Sequence, residues 1–169
     1  MSFALWLTGL PGSGKSAIAR ELVQQLHERA IEVSVLESDV MRTQLTPYPR
    51  YDEEDRAFFY GWLVEFGAML ANKGRPVLFD ATANKRAYRD AARKTIARFA
   101  EVYVDTPLEV CAARDPKGLY GKQQTTTLPG AQAPYEPPPA PELVVHGAVA
   151  TPAESAGKIV ALLVSRGWV

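Results

Sequence analysis

Two spacings of apolar residues alternate along this chain. Short runs read as strands buried on both faces: Phe3-Ala4-Leu5-Trp6-Leu7, Val33-Ser34-Val35-Leu36, Pro76-Val77-Leu78-Phe79-Asp80, Glu101-Val102-Tyr103-Val104-Asp105 and Leu143-Val144-Val145-His146. Between them the apolar positions take helical spacing, as at Ile18, Leu22 and Leu26. An acidic cluster from Asp52 to Asp55 opens a long helix to about Asn72, where negative charge suits the helix dipole. Phe58, Phe59, Trp62, Leu63, Phe66, Met69 and Leu70 supply its apolar surface, and Gly74 follows as a stop. An arginine-rich helix is predicted from Lys85 to Phe99, a short one from Pro107, and a last one from Pro152 to Arg166. Strands alternating with helices predict an α/β domain with a five-stranded parallel sheet covered on both faces. Ligands bind such sheets at the carboxyl ends of the strands. Gly12, Asp39, Asp80 and Asp105 lie at or just beyond those ends and are expected to converge on one edge.

Between Asp115 and Pro141 the alternation breaks into Lys, Gln, Thr, Gly and Pro. A structureless stretch of that length is usually functional in a compact domain. It is read as a proline-rich lid, with a merely disordered insertion as the plainer alternative. At 169 residues the chain fits a single domain with a substantial core.

The chemistry is concentrated in GLPGSGKS, Gly9 to Ser16, which satisfies G-x-x-x-x-G-K-[ST] between the first strand and the first helix. A strand, a glycine-rich turn and a helix N-terminus form a cradle whose backbone N–H groups and dipole favour phosphate. Gly9, Gly12, Ser13, Gly14, Lys15, Ser16 and Ala17 are therefore expected to contact ATP or GTP. Lys15 reaches the β- and γ-phosphates, and the Ser16 hydroxyl ligates Mg²⁺. This segment predicts a P-loop nucleotide-binding protein.

Charge and cysteine content narrow the partners. Nineteen basic and nineteen acidic residues cancel, so no global field attracts a nucleic acid polymer or an anionic membrane. The single cysteine, Cys111, excludes an internal disulfide and is read as a small buried residue. No apolar stretch is long enough to span a bilayer, and the apolar N-terminus lacks a basic leader, so a cytoplasmic location is expected. His27 is read as a surface residue, and His146, which ends the fifth strand, as structural.

A second acidic candidate closes the third strand. In Leu78-Phe79-Asp80-Ala81-Thr82-Ala83-Asn84 the aspartate stands where P-loop enzymes order Mg²⁺, the alternative being a cap for the next helix. On that helix Arg86, Arg89 and Arg93 share a face. Arg86, nearest the strand end, is a candidate phosphate contact. Arg93 is expected on a solvated face, with Asp90 and Lys94 pairing at the surface. Trp62 and Phe66 are expected in the core or in a pocket wall.

Two segments carry a resemblance. Glu101 to Tyr120, EVYVDTPLEVCAARDPKGLY, and Ala133 to Leu143, APYEPPPAPEL, resemble the adenylylsulfate (APS) kinase family, as does ESDVMR from Glu37 to Arg42. With GLPGSGKS in place, the likeness runs in order along nearly the whole chain. It implies a P-loop kinase fold with a mobile lid, Mg²⁺ as cofactor, and transfer of the γ-phosphoryl of ATP to the 3′-hydroxyl of APS. A kinase for another nucleotide-activated or small polar alcohol is the alternative, as is a non-catalytic nucleotide-binding domain. By position the resemblance implies Asp39 as base and metal-site residue near the acceptor, and Lys15 as its catalytic partner. It implies Arg42 and Arg56 as acceptor contacts and Arg114 against the adenine. Partners are then ATP and a small-molecule acceptor, with a homodimer possible. The sequence departs from the family on the acceptor side. Phe59 and Gly61 stand where the family carries an asparagine and an arginine, and the lid reads Thr126-Thr127-Leu128-Pro129-Gly130 without the family's lysine and phenylalanine. Were Phe59 to face the acceptor, it would stack on the base.

Overall fold

The computed structural model describes residues 2–121, 128–131 and 133–169. Part of the expected lid, including Thr126 and Thr127, lies outside the described residues. The chain runs β1 (Ala4–Thr8), α1 (Lys15–His27), β2 (Ser34–Glu37), α2 (Ser38–Leu45), α3 (Glu53–Asn72), β3 (Val77–Asp80), α4 (Arg86–Thr95), β4 (Phe99–Asp105), α5 (Leu108–Arg114), β5 (Leu143–His146) and α6 (Pro152–Ser165). The five strands form one parallel sheet in the order β2-β3-β1-β4-β5. The α/β architecture predicted from the alternation is the one observed.

Register brings the functional strand ends together. Asp80 of β3 is level with Leu7 of β1 and with Glu37 of β2, so three strands finish beside the turn that leaves β1. One apolar layer joins Leu5, Leu7, Ile18, Leu22 and Leu26 to Val102, Ile159 and Leu163, seating α1 and α6 on one face of the sheet. The other joins Trp6 and Phe79 to Phe59, Leu63, Val64 and Ala68 of α3 and to Ala92 of α4. Trp6 stacks on Phe79 with ring centroids 4.5 Å apart, and its indole N–H donates to the Ala81 carbonyl at 2.9 Å.

Two elements differ from expectation. Residues after Glu37 form α2, for which no helix was read, since its short polar sequence SDVMRTQL gives little periodic signal. The arginine-rich helix stops at Thr95, four residues short of Phe99. Ile96 is buried with an extended backbone, and Phe99 pairs with Ala4, so the sheet claims these bulky residues as strand.

The arginines of α4 are structural. Arg89 is fully buried, and its Nε lies 2.6 Å from Glu101 Oε1 on β4. It also donates to the Ala83 carbonyl at 2.6 Å and to the Glu136 carbonyl at 2.5 Å. Arg93, expected on a solvated face, instead forks onto Glu142 at 2.5 and 2.8 Å and approaches Glu101 at 3.5 Å. Burial pushes the Glu101 carboxyl up, while the two arginines pull it down. This network fixes residues 133–142 against the sheet as a strap: Tyr135 Oη lies 3.0 Å from Thr8 Oγ1, and the Glu136 carboxylate accepts the Arg86 backbone N–H at 2.7 Å. No helix among the described residues is long and apolar enough to cross a membrane.

Candidate active site

The P-loop begins where β1 leaves the sheet. Gly12 has φ +77° and Gly14 φ +105°, a left-handed region that favours glycine, and a Cβ on Gly12 would sit 2.9 Å from the Cys111 carbonyl. Gly14 caps α1, so the first turn, opening at Lys15 and Ser16, faces the cradle with its backbone N–H groups free of an N-cap side chain. Neighbouring elements hold the loop in shape. Thr106 Oγ1 donates to the Ser13 carbonyl at 2.9 Å, and Tyr120 Oη donates to the Pro11 carbonyl at 2.6 Å. Cys111 is buried with its Sγ 3.6 Å from the Thr106 carbonyl, as expected of a packing residue, and burial pushes its thiol up.

A cavity of about 530 Å³ opens over this loop. Gly12 to Ala17 line it together with Asp39, Asp80, Arg114 and Lys117. Apart from Gly9, which does not line the cavity, the nucleotide half of the predicted set thus meets in one place, from β1–α1, the start of α2, the end of β3 and the end of α5. The Ser13 hydroxyl is buried there with no hydrogen-bond partner among the described residues. Lys15 donates to the Gly9 and Leu10 carbonyls, both at 2.9 Å. Burial brings its ammonium down to about 8, against the opposing pull of Asp80 and Asp39. Arg114 is positioned by the Gly147 carbonyl at 2.7 Å.

Sequence reasoning passed over Lys117. Its ammonium pairs with the Asp39 carboxylate and lies 4.0 Å from Glu37 Oε1. The turn that delivers it is organised by Asp115, whose carboxylate accepts the backbone N–H groups of Leu119 at 2.6 Å and Tyr120 at 3.2 Å. The signal was present in RDPKGLY, where a lysine follows the proline, but its partner lies 78 residues away. Asp105, expected on this edge, pairs with His146 at 3.5 Å and does not line the cavity. His27 is exposed and pairs with Glu32, as expected of a surface histidine.

The acceptor-side candidates form a second group. Arg42 stands one turn beyond Asp39 on α2, sharing its side of the helix. Its guanidinium pairs with Asp55 at 3.2 Å, lies 4.0 Å from the ring centroid of Phe59 and 5.0 Å from that of Tyr51. Phe59 is completely buried beneath it and meets Tyr60 edge-on, so its ring supports the arginine. Arg56 is buried at the start of α3, and burial lowers its guanidinium pKa, with Arg42 adding to the effect. Arg86 is not brought to the cavity: it is exposed and pairs with Asp90 at 3.5 Å. Trp62 and Phe66 stack on each other at 5.0 Å, half-buried and packed against the core layer under α3, and do not line the cavity.

For a divalent cation the cavity offers the Ser16 hydroxyl and the carboxylates of Asp39 and Asp80. Among the described residues no cluster of three His, Cys, Asp or Glu could hold a metal alone. Few protein oxygens beside a phosphate cradle suit Mg²⁺, which keeps several waters and shares phosphate oxygens.

A P-loop at the edge of a parallel sheet, with the Asp39 and Asp80 carboxylates and the cationic Lys15, Arg114 and Lys117 around the phosphate cradle, defines a P-loop phosphotransferase. Comparison with known proteins places it further. Residues 1–146 match the family model for adenylylsulphate kinase. An adenylyl-sulfate kinase from Synechococcus sp. is 38% identical over 98% of this chain and 96% of its own length. One from Rippkaea orientalis is 39% identical over 92% and 87%. The solved APS kinase CysC of Mycobacterium tuberculosis, in complex with AMPPNP and APS, superposes with a TM-score of 0.88 at 35% identity, covering 96% of this chain and 97% of that one. The chain belongs to the adenylylsulfate kinase family.

Proposed function

We propose that this protein transfers the γ-phosphoryl group of ATP to the 3′-hydroxyl of APS. The observation that carries this reading is the meeting of Lys15, Ser16, Asp39 and Asp80 in one cavity, one helical turn from Arg42. The P-loop amides and Lys15 hold and neutralise the β- and γ-phosphates. The Lys15 ammonium exchanges the Gly9 and Leu10 carbonyls for phosphate oxygens. Ser16, Asp39 and Asp80 are the residues that would hold Mg²⁺, and the cation would supply neutralisation of the phosphate charge. Arg114 lies against the adenine. Arg42 and Arg56 bind the acceptor's anionic groups, and Phe59 sets the height of Arg42. Asp39 accepts the hydroxyl proton as the acceptor oxygen attacks in line. Lys117 neutralises Asp39 until nucleotide enters.

The test is ADP release with Mg-ATP across APS, other nucleotides bearing a free 3′-hydroxyl, and small alcohols. APS-dependent ADP release with formation of the 3′-phosphorylated product is expected. Release with a small alcohol and none with APS would overturn the acceptor assignment.

A further inference from the structure

The turn that leaves β3 is held at each of its residues. The Trp6 indole N–H donates to the Ala81 carbonyl at 2.9 Å, and Thr8 Oγ1 donates to the Thr82 carbonyl at 2.7 Å. Arg89 donates to the Ala83 carbonyl at 2.6 Å, and the Asn84 carbonyl accepts the Glu136 backbone N–H at 2.8 Å. Ala83 has φ +44°, a left-handed conformation that strains a residue with a Cβ. Such strain persists where the surroundings over-determine it, and it gathers at functional sites. The Ala83 N–H donates to Tyr60 Oη at 2.9 Å.

That bond uses only half of the phenol. A tyrosine hydroxyl both accepts and donates, and none of the described residues accepts the Tyr60 proton. The side chain is buried, where a donor left unmatched is costly. Its ring has no freedom to turn away. It stacks on Tyr88 at 4.6 Å, meets Phe59 edge-on at 5.3 Å and leans on Trp6 at 6.3 Å. Burial pushes the phenol up, while the Ala83 N–H, Arg42 and Arg56 pull it down. The hydroxyl therefore keeps its proton at neutral pH, within the field of the two acceptor-side arginines.

We infer that Tyr60 is an acceptor-binding residue, its hydroxyl donating to an oxygen of the anionic group that Arg42 and Arg56 hold. The inference rests on the proposed acceptor assignment. A third cation there would repel the other two, since burial and Arg42 already lower the Arg56 pKa. A neutral phenol adds a directed hydrogen bond to the anion without that repulsion. The same oxygen, through the Ala83 N–H, ties the acceptor pocket to the turn that follows Asp80.

Steady-state kinetics on Tyr60→Phe tests this, because phenylalanine keeps the ring contacts and deletes the hydroxyl. The KM for APS should rise about 10–100-fold, the loss of one hydrogen bond to a charged group. The value of kcat and the Mg²⁺ concentration for half-maximal activity should stay within about twofold. Since Tyr60→Phe also strips the Ala83 N–H of its partner, Tyr60→Phe/Ala83→Gly separates the two roles, glycine taking the left-handed conformation without strain. The double variant should keep the raised KM for APS. Recovery of the wild-type KM in the double variant overturns the inference and leaves Tyr60 a support for the turn. A Mg²⁺ requirement that rises together with the KM, or an unchanged KM in Tyr60→Phe, overturns it as well. A wild-type enzyme that does not turn over APS overturns the acceptor assignment itself, and the inference with it.

Discussion

The Arg42 guanidinium lies 4.0 Å from the centre of the Phe59 ring, with Asp55 holding its edge at 3.2 Å. The aromatic ring fixes one side of the arginine and the carboxylate one end, leaving the remaining donors for an anion. Phe59→Leu keeps most of the apolar volume and removes the π-face. A desolvated cation–π contact is worth about 1–2 kcal/mol, so the acceptor KM should rise about five- to thirtyfold with kcat little changed. Steady-state kinetics at saturating ATP measures this.

Lys15→Ala removes the cation that the proposed function sets against the β- and γ-phosphates. Loss of one such preorganised electrostatic contact costs about two to three decades in kcat. The fold should persist, because the variant deletes an ammonium whose charged form burial disfavours. Wild-type turnover in this variant would remove the P-loop from the chemistry.

Nucleotide capture should depend on pH through the same residue. In the free enzyme the Lys15 ammonium titrates at about 8, well below the ordinary 10.5. Below pH 8 it is protonated and attracts phosphate; as pH rises through 8 the charge is lost. The value of kcat/KM for ATP should therefore fall above about pH 8. Bound phosphates favour the charged form, so kcat should hold to higher pH. A flat kcat/KM profile to pH 10 contradicts this.

Asp80 is buried, at 4% exposure, and lines the cavity beside Ser16. Asp80→Asn should raise the Mg²⁺ concentration for half-maximal activity about 10–100-fold. An unchanged Mg²⁺ dependence would leave the metal to Asp39 and make Asp80 a structural strand end.

Arg89 and Glu101 are both buried and 2.6 Å apart, so removing Arg89 leaves the Glu101 carboxylate with only the more distant Arg93, at 3.5 Å. Arg89→Met should cost about 3–5 kcal/mol, read as a fall in the urea midpoint. The double variant Arg89→Met/Glu101→Leu should recover a large part of that loss, because no charge then remains buried alone.

The features legible along the chain are local ones. The phosphate cradle was legible because eight consecutive residues, Gly9 to Ser16, contain the turn, the cation, the hydroxyl and the helix start. All five strands carry apolar runs dense enough to read directly, and the place of Asp80 at the end of the third is legible from its run. The tertiary structure decided which charges meet. Arg89, Arg93 and Arg86 stand on one helix with equivalent sequence surroundings, yet the first is buried on Glu101, the second bridges to Glu142, and only the third stays at the surface. Periodicity sets the spacing of such residues but not the neighbouring strand they face. Lys117 reaches Asp39 across 78 residues, and Phe59 lies under Arg42, because sheet order and register bring β2, β3 and the α5 turn to one edge. Burial and pairing arise from long-range contacts, so a single stretch of sequence specifies the parts of this site while the packed sheet specifies their partners.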